Sequence, residues 1–214
     1  MNFLLLLFAL LQAGLLVWTF GDRAHNPARI WLLRLLLLGM CYDNIVQGVG
    51  VWFIDTPWYE GANVPRFVLH AAVLPFLTIF ALSVMRDAGV ALARRAGFFA
   101  FCWLFTVACL GWGLYHEVFL LQLGPRSVAG VVKLGSVSSL PPVATILTSA
   151  LLLPMAALVW KCSGWRWFFL GSLFIFLVNG STGGQPWGFL AGNFAELVFI
   201  VSLLATDHRF AAQP

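Results

Sequence analysis

Seven continuous apolar runs constrain this chain more than any other feature. They lie near residues 2–20, 30–54, 66–85, 98–121, 141–160, 165–182 and 187–206. Each meets or approaches the about 20 residues of helix that cross a ~30 Å hydrocarbon layer. Inside lipid, backbone N–H and C=O groups have no water to bind, so only helices and closed barrels span it. The runs are unbroken rather than alternating, which argues against a barrel. The expected fold is all-α: a polytopic membrane helix bundle of about seven transmembrane helices, in a single domain over residues 1–214.

Composition agrees. Hydrophobic residues make up 61% of the chain and charged residues 9%, against roughly 25% charged in soluble domains. The net charge of +4 comes from residues between the runs, with no basic stripe and no interleaved aromatics, so no nucleic-acid partner is expected. The first run lacks the basic start of a cleaved leader and has no small-x-small site before Gly21, so it reads as a retained helix. The four cysteines, Cys41, Cys102, Cys109 and Cys162, form no C-x-x-C pair and read as small hydrophobes.

The connections set an orientation. The loops after the first, third and fifth runs, with the C-terminal tail, carry Arg23, Arg29, Arg86, Arg94, Arg95, Lys161, Arg166 and Arg209. The other loops carry Arg66, Arg126 and Lys133, and Arg34 falls inside the second run. Eight against three puts the first set in the cytoplasm, the N-terminus outside and the C-terminus inside. Trp58, Trp165, Trp167 and Trp187 fall near run ends, as in an interfacial aromatic belt. Pro75 and Pro154 are expected to kink their helices. The sixth run is the weakest, either a short helix or one that unwinds after Val178. The long connection at 122–140, rich in glycine and proline, reads as an outer loop suited to a lid or binding surface.

Polar groups within the runs carry the functional information, because ionisable residues in a bilayer cost ~2.5–3.5 kcal/mol each on insertion scales. Arg34, one turn in, is expected to snorkel to the headgroups, and so is Arg66 at its boundary. Asp43 lies ~20 Å above the start of its helix at 1.5 Å per residue, too deep to snorkel. Gly39, Asp43, Gln47 and Gly50 share its face, flanked by Tyr42 and Asn44. Arg66 and His70 stack at i, i+4. In the fourth run His116 stacks over Trp112 and Glu117 over Gly113, pointing about 100° apart, so at most one should face a given point squarely. Asn179 closes the sixth run, and Asn193 and Glu196 share a face of the seventh. Asp43, Gln47, His70, His116, Glu117, Asn179, Asn193 and Glu196 all fall between the midplane and the outer surface, while the cytoplasmic half has almost no polar interior apart from Arg34. The pattern describes an aromatic-lined cavity opening outward.

Two carboxyls in such a cavity, Asp43 and Glu196, suit general acid and base roles on a lipid-soluble substrate, with Glu117 a further candidate. Tyr42, Asn44, Gln47, His70, Trp112, His116, Asn179 and Asn193 are candidate substrate contacts. The arrangement resembles the seven-helix transmembrane terpene cyclases, whose essential acids lie on the second and last helices, where Asp43 and Glu196 stand here. That resemblance implies proton-initiated cyclisation of an isoprenoid-like substrate without a cofactor. The segments YDN (42–44), RFVLH (66–70) and GNFAE (192–196) are also similar to a bacterial multi-spanning membrane family. This implies a bacterial inner (cytoplasmic) membrane and supplies no activity.

Two alternatives use the same residues. His70 and His116, with Asp43 or Glu117, are candidate ligands of a zinc-dependent intramembrane lipid hydrolase, although the late-helix histidine pair of ceramidase-type enzymes is absent. The same two histidines suit a bis-histidine haem. A third alternative is a non-catalytic subunit or a lipid- or cofactor-binding protein of a membrane complex, with membrane-protein partners along the polar-poor first, fifth and sixth runs. Both lysines lie outside the runs, so no buried retinal Schiff base is available. Reporter fusions should place 86–97 in the cytoplasm and 122–140 outside; the opposite result would invert the bundle and turn the cavity inward.

Overall fold

A computed structural model describes residues 1–21, 26–128, 130–138 and 140–211. Arg23, part of the charge asymmetry, lies outside the described residues. The helices are α1 (Asn2–Gly21), α2 (Pro27–Phe53), α3 (Pro57–Val73), α4 (Leu77–Asp87), α5 (Ala96–Gly113), α6 (Val143–Ser163), α7 (Trp167–Thr182) and α8 (Gly188–Ala211). A 3₁₀ turn at Leu74–Phe76 joins α3 to α4, and a π-helical turn, Leu114–Phe119, extends α5.

Six of the resulting helical segments are long and apolar enough to cross a membrane, and α7 is a shorter apolar helix of 16 residues. The chain is an integral membrane protein built as a helix bundle. The third span runs from Pro57 to Asp87, longer than the 66–85 expected, because Pro57 starts a helix where hydropathy alone saw a loop. Pro75 lies in the 3₁₀ turn, whereas α6 carries Pro154 within a continuous helix. The α7 helix continues through Asn179 and Gly180 to Thr182, so it is short rather than unwound after Val178.

Local chemistry explains the ends. Asn26 caps α2 by accepting from the Ala28 and Arg29 amides, with Pro27 in the first turn, where its missing N–H costs nothing. Gly164 ends α6 at φ +74°, a conformation that favours glycine.

The connection at 122–140 is not an irregular loop. It holds an antiparallel hairpin, β1 (Leu123–Val128) with β2 (Val131–Ser136), Val128 opposite Val131. Its tip uses Gly130 at φ +77°. The hairpin sits hard against α2, since a Cβ on Gly50 would collide with the Val132 carbonyl oxygen. Buried Val131 clusters with Leu5 and Leu190.

The main apolar core fills the opposite end. Leu33, Leu37, Phe80, Met85, Leu152, Met155, Phe168, Ile200 and Leu203 are buried there, with Phe80 and Phe168 edge to face at 5.9 Å. This end is not free of polar groups, contrary to expectation. Arg29 is 3% exposed and donates to Asp207 at 2.7 Å and to Asp87 at 2.5 Å, tying α2, α4 and α8. It is a buried clamp as well as a topology charge. Arg34 does not reach for headgroups either; it donates to the Thr19 carbonyl at 2.8 Å and lies 4.0 Å from the Phe20 ring centre, at the C-terminal end of α1, where a cation is favoured.

Helices in lipid associate through close packing, with small residues where backbones cross. Gly171 of α7 is such a point: a Cβ there would collide with Ser202 Oγ and lie 2.5 Å from Ser202 Cβ on α8. Gly171→Ala should destabilise the protein by about 1–3 kcal/mol, the usual cost of overpacking. Adding Ser202→Gly should recover part of the loss in thermal unfolding.

Candidate functional site

A cavity of about 400 Å³ lies between the apolar core and the hairpin, a size typical of small-molecule sites. From α2 come Leu35, Leu36, Gly39, Met40 and Asp43; from α3 Arg66, Phe67, Leu69, His70 and Val73. The end of α5 gives Trp112 and its π-helical extension His116 and Glu117, α7 gives Ile175 and Asn179, and α8 gives Glu196 and Phe199. Thr145, Thr148 and Ser149 of α6 complete the wall, and Ser136, Ser138 and Leu140–Pro142 lie over it. Deep walls are apolar, and the polar groups gather towards the hairpin.

Several anticipated residues meet here: Asp43, His70, Trp112, His116, Glu117, Asn179 and Glu196 all line this one cavity. His116 and Glu117 both reach it, although α-helical spacing predicts divergence. They lie in the π-helical turn, where the Leu120 amide bonds back five residues to Tyr115. The wider turn narrows the angle between successive side chains, and π-turns recur at functional sites. The His116 ring stacks on Trp112 with centroids 4.2 Å apart, and His70 Nε2 is 3.1 Å from Thr145 Oγ1.

Four others do not line the cavity. The Tyr42 hydroxyl donates to the Ala62 carbonyl at 2.7 Å, tying α2 to α3. Asn44 is fully buried and donates to Gln12 of α1 at 3.0 Å. Asn193 is buried within the bundle at 6% exposure. Gln47 lies one turn beyond the cavity wall and connects it to the hairpin, donating to Asp43 Oδ2 and accepting from Lys133 Nζ at 2.5 Å.

The connecting network was hidden from hydropathy. Arg66 does not snorkel. Its Nε donates to Asp43 Oδ1 at 2.7 Å, and another nitrogen donates to Asn63 at 2.5 Å and to the Leu134 carbonyl at 3.1 Å. Asp43 thus accepts from a guanidinium with one oxygen and from an amide with the other, the bonding role of an ionised carboxylate. Glu196 differs: it opens on the cavity, and among the described residues it makes no hydrogen bond or ion pair.

As to metal ligation, no group of three His, Cys, Asp or Glu side chains among the described residues is arranged to hold an ion. His70 and His116 share the cavity, with His70 engaged by Thr145 and His116 stacked on Trp112.

Fold and site together define a membrane helix bundle enclosing an amphipathic cavity roofed by a hairpin. No protein-family model matches the chain, and neither a curated protein nor a solved structure shows significant similarity to it.

Lys133, on the hairpin, ties that roof to pH. Burial, and then Arg66, push its ammonium down from 10.5 to about 7, with Asp43 opposing and Arg126 adding to the fall. An undocked hairpin would return it to the ordinary value. Between about 10.5 and 7 the undocked form therefore binds more protons, so docking is strongest above this window and weakens as pH falls through it. Spin labels on exposed Ser127 and Glu60 should report a more populated short distance at pH 9 than at pH 7. Lys133→Met should flatten that dependence.

Proposed function

We propose that this protein is an enzyme acting on a lipid-soluble, isoprenoid-like substrate by carboxylate acid–base chemistry, with the hairpin end of the bundle facing outward. The observation that carries the reading is the meeting of Asp43 and Glu196, from the second and last spans, on one cavity with apolar walls. Those are the helices that bear the essential acids in the terpene cyclases the chain resembles.

The surroundings divide the roles. Asp43 is fixed by Arg66 and Gln47, so it serves as a permanent negative charge that steadies positive charge developing in the substrate. Glu196 has its carboxyl free among the described residues, and it exchanges the proton with the substrate. The His70–Thr145 pair at 3.1 Å offers a second position at which a proton can be taken up or returned. Leu36, Leu69, Val73 and Leu77 hold the hydrocarbon part and exclude water.

Glu196→Gln preserves shape and removes the exchangeable proton, so turnover should fall by about 10²-fold or more if it acts as an acid or base. Asp43→Asn should also lower turnover, with some loss of stability because Arg66 loses its counter-charge. Activity is followed by mass spectrometry of lipid extracts from membranes containing native or variant protein, with thermal unfolding as the folding control. A folded Asp43→Asn, Glu196→Gln double variant with native lipid conversion would overturn acid–base catalysis by this pair and leave a binding role for the cavity.

A further inference from the structure

The polar end of the cavity holds three carboxyls, Asp43, Glu117 and Glu196, and one guanidinium. Arg66 is the one guanidinium or ammonium in its wall among the described residues. Its charge is matched by Asp43 at 2.7 Å, and its other contacts go to Asn63 and the Leu134 carbonyl. Nearby cations are directed elsewhere. Lys133 donates to Gln47 and lies 3.6 Å from the Phe189 ring centre, and Arg126 donates to the Ser136 carbonyl at 2.5 Å.

Two more carboxyls, Glu117 on the π-turn and Glu196 on α8, open on the same cavity. Neither has an ion pair or hydrogen bond among the described residues. Aromatic rings share the wall, including Trp112 and Phe67, and such rings attract cations by their faces. An anionic head would find the one wall guanidinium already engaged by Asp43. A cationic head donates to the two unpartnered carboxyls and favours their ionised form, and attraction between opposite charges is strong in so poorly screened a space.

We infer that the cavity selects an amphiphile whose head carries positive charge, an amine on an apolar chain, with the head at Glu117 and Glu196 and the chain along the deep apolar wall. The inference rests on reading the cavity as a site for a lipid-soluble molecule. It adds a charge requirement that a neutral or phosphorylated lipid does not meet.

The test uses the full chain in phosphatidylcholine nanodiscs with three probes, dodecylamine, dodecanol and dodecyl phosphate. Affinities are compared between the native protein and Glu117→Gln, Glu196→Gln and double variants, so that partition into the lipid cancels. The native protein should prefer the amine to the alcohol by about tenfold or more relative to the double variant, as close charge pairs at binding sites do. Dodecanol binding should persist in the variants, which reports an intact cavity. Equal relative binding of amine and alcohol in native and variant protein would overturn the charge requirement alone, and so would a preference for the phosphate. Failure of all three probes to bind the native protein would overturn the underlying reading of the cavity as well.

Discussion

Arg66 sets the architecture of the hairpin end. One guanidinium bonds Asp43 of α2, Asn63 of its own helix and the Leu134 carbonyl of the hairpin. These groups are partly buried, and a polar group withdrawn from water is costly to leave without its partner. The consequence is positional. Asp43 is turned towards the cavity, the hairpin is drawn over it, and α2 and α3 are held at the spacing that leaves a void between them and α8. Gln47 and Lys133 extend the network from the cavity wall to the second strand.

A second buried clamp closes the other end. Arg29, Asp87 and Asp207 join α2, α4 and α8 beneath the apolar core. The two clamps share α2, so that helix is fixed by charge at its first turn and again past its middle. Between them hydrocarbon packing and small-residue crossings set the distances, since lipid supplies little hydrophobic drive for helix association. The cavity with the polar wall lies near the hairpin. There α5 widens into a π-turn, α3 meets the 3₁₀ turn at Pro75, and α7 is short.

Much of this was legible in the sequence, for reasons that can be named. Apolar run length reports directly on span position, so six of the seven runs match their helices to within a few residues at both ends, and the exception, the start of the third span, depended on Pro57. Depth along a helix is simple arithmetic, and it grouped Asp43, His70, His116, Glu117 and Glu196 at one level, where they line one cavity. Direction was less legible. Tyr42, Asn44 and Asn193 share that depth but face neighbouring helices, and a lone sequence does not show which face meets which helix. Arg29 counted as a loop charge because its partner Asp207 is distant in sequence and adjacent only in space. The hairpin was masked by glycine and proline, although the two six-residue segments flanking Ala129 and Gly130 carry a strand–turn–strand pattern.

The π-turn shows how one local deviation changes what a site can do. With regular α-helical spacing, His116 and Glu117 diverge by about 100°, and only one would reach the cavity. A five-residue hydrogen-bonded turn brings both into the wall while Trp112 stacks on His116. That places an aromatic ring, an imidazole and a carboxyl on α5 within the same cavity as Glu196 of α8. Asp43 is already balanced by Arg66, so the two glutamates, which have no ion pair among the described residues, are the carboxyls of the wall free to change their charge. The pair organises the space, and the unpaired carboxyls are the groups left to act on whatever occupies it.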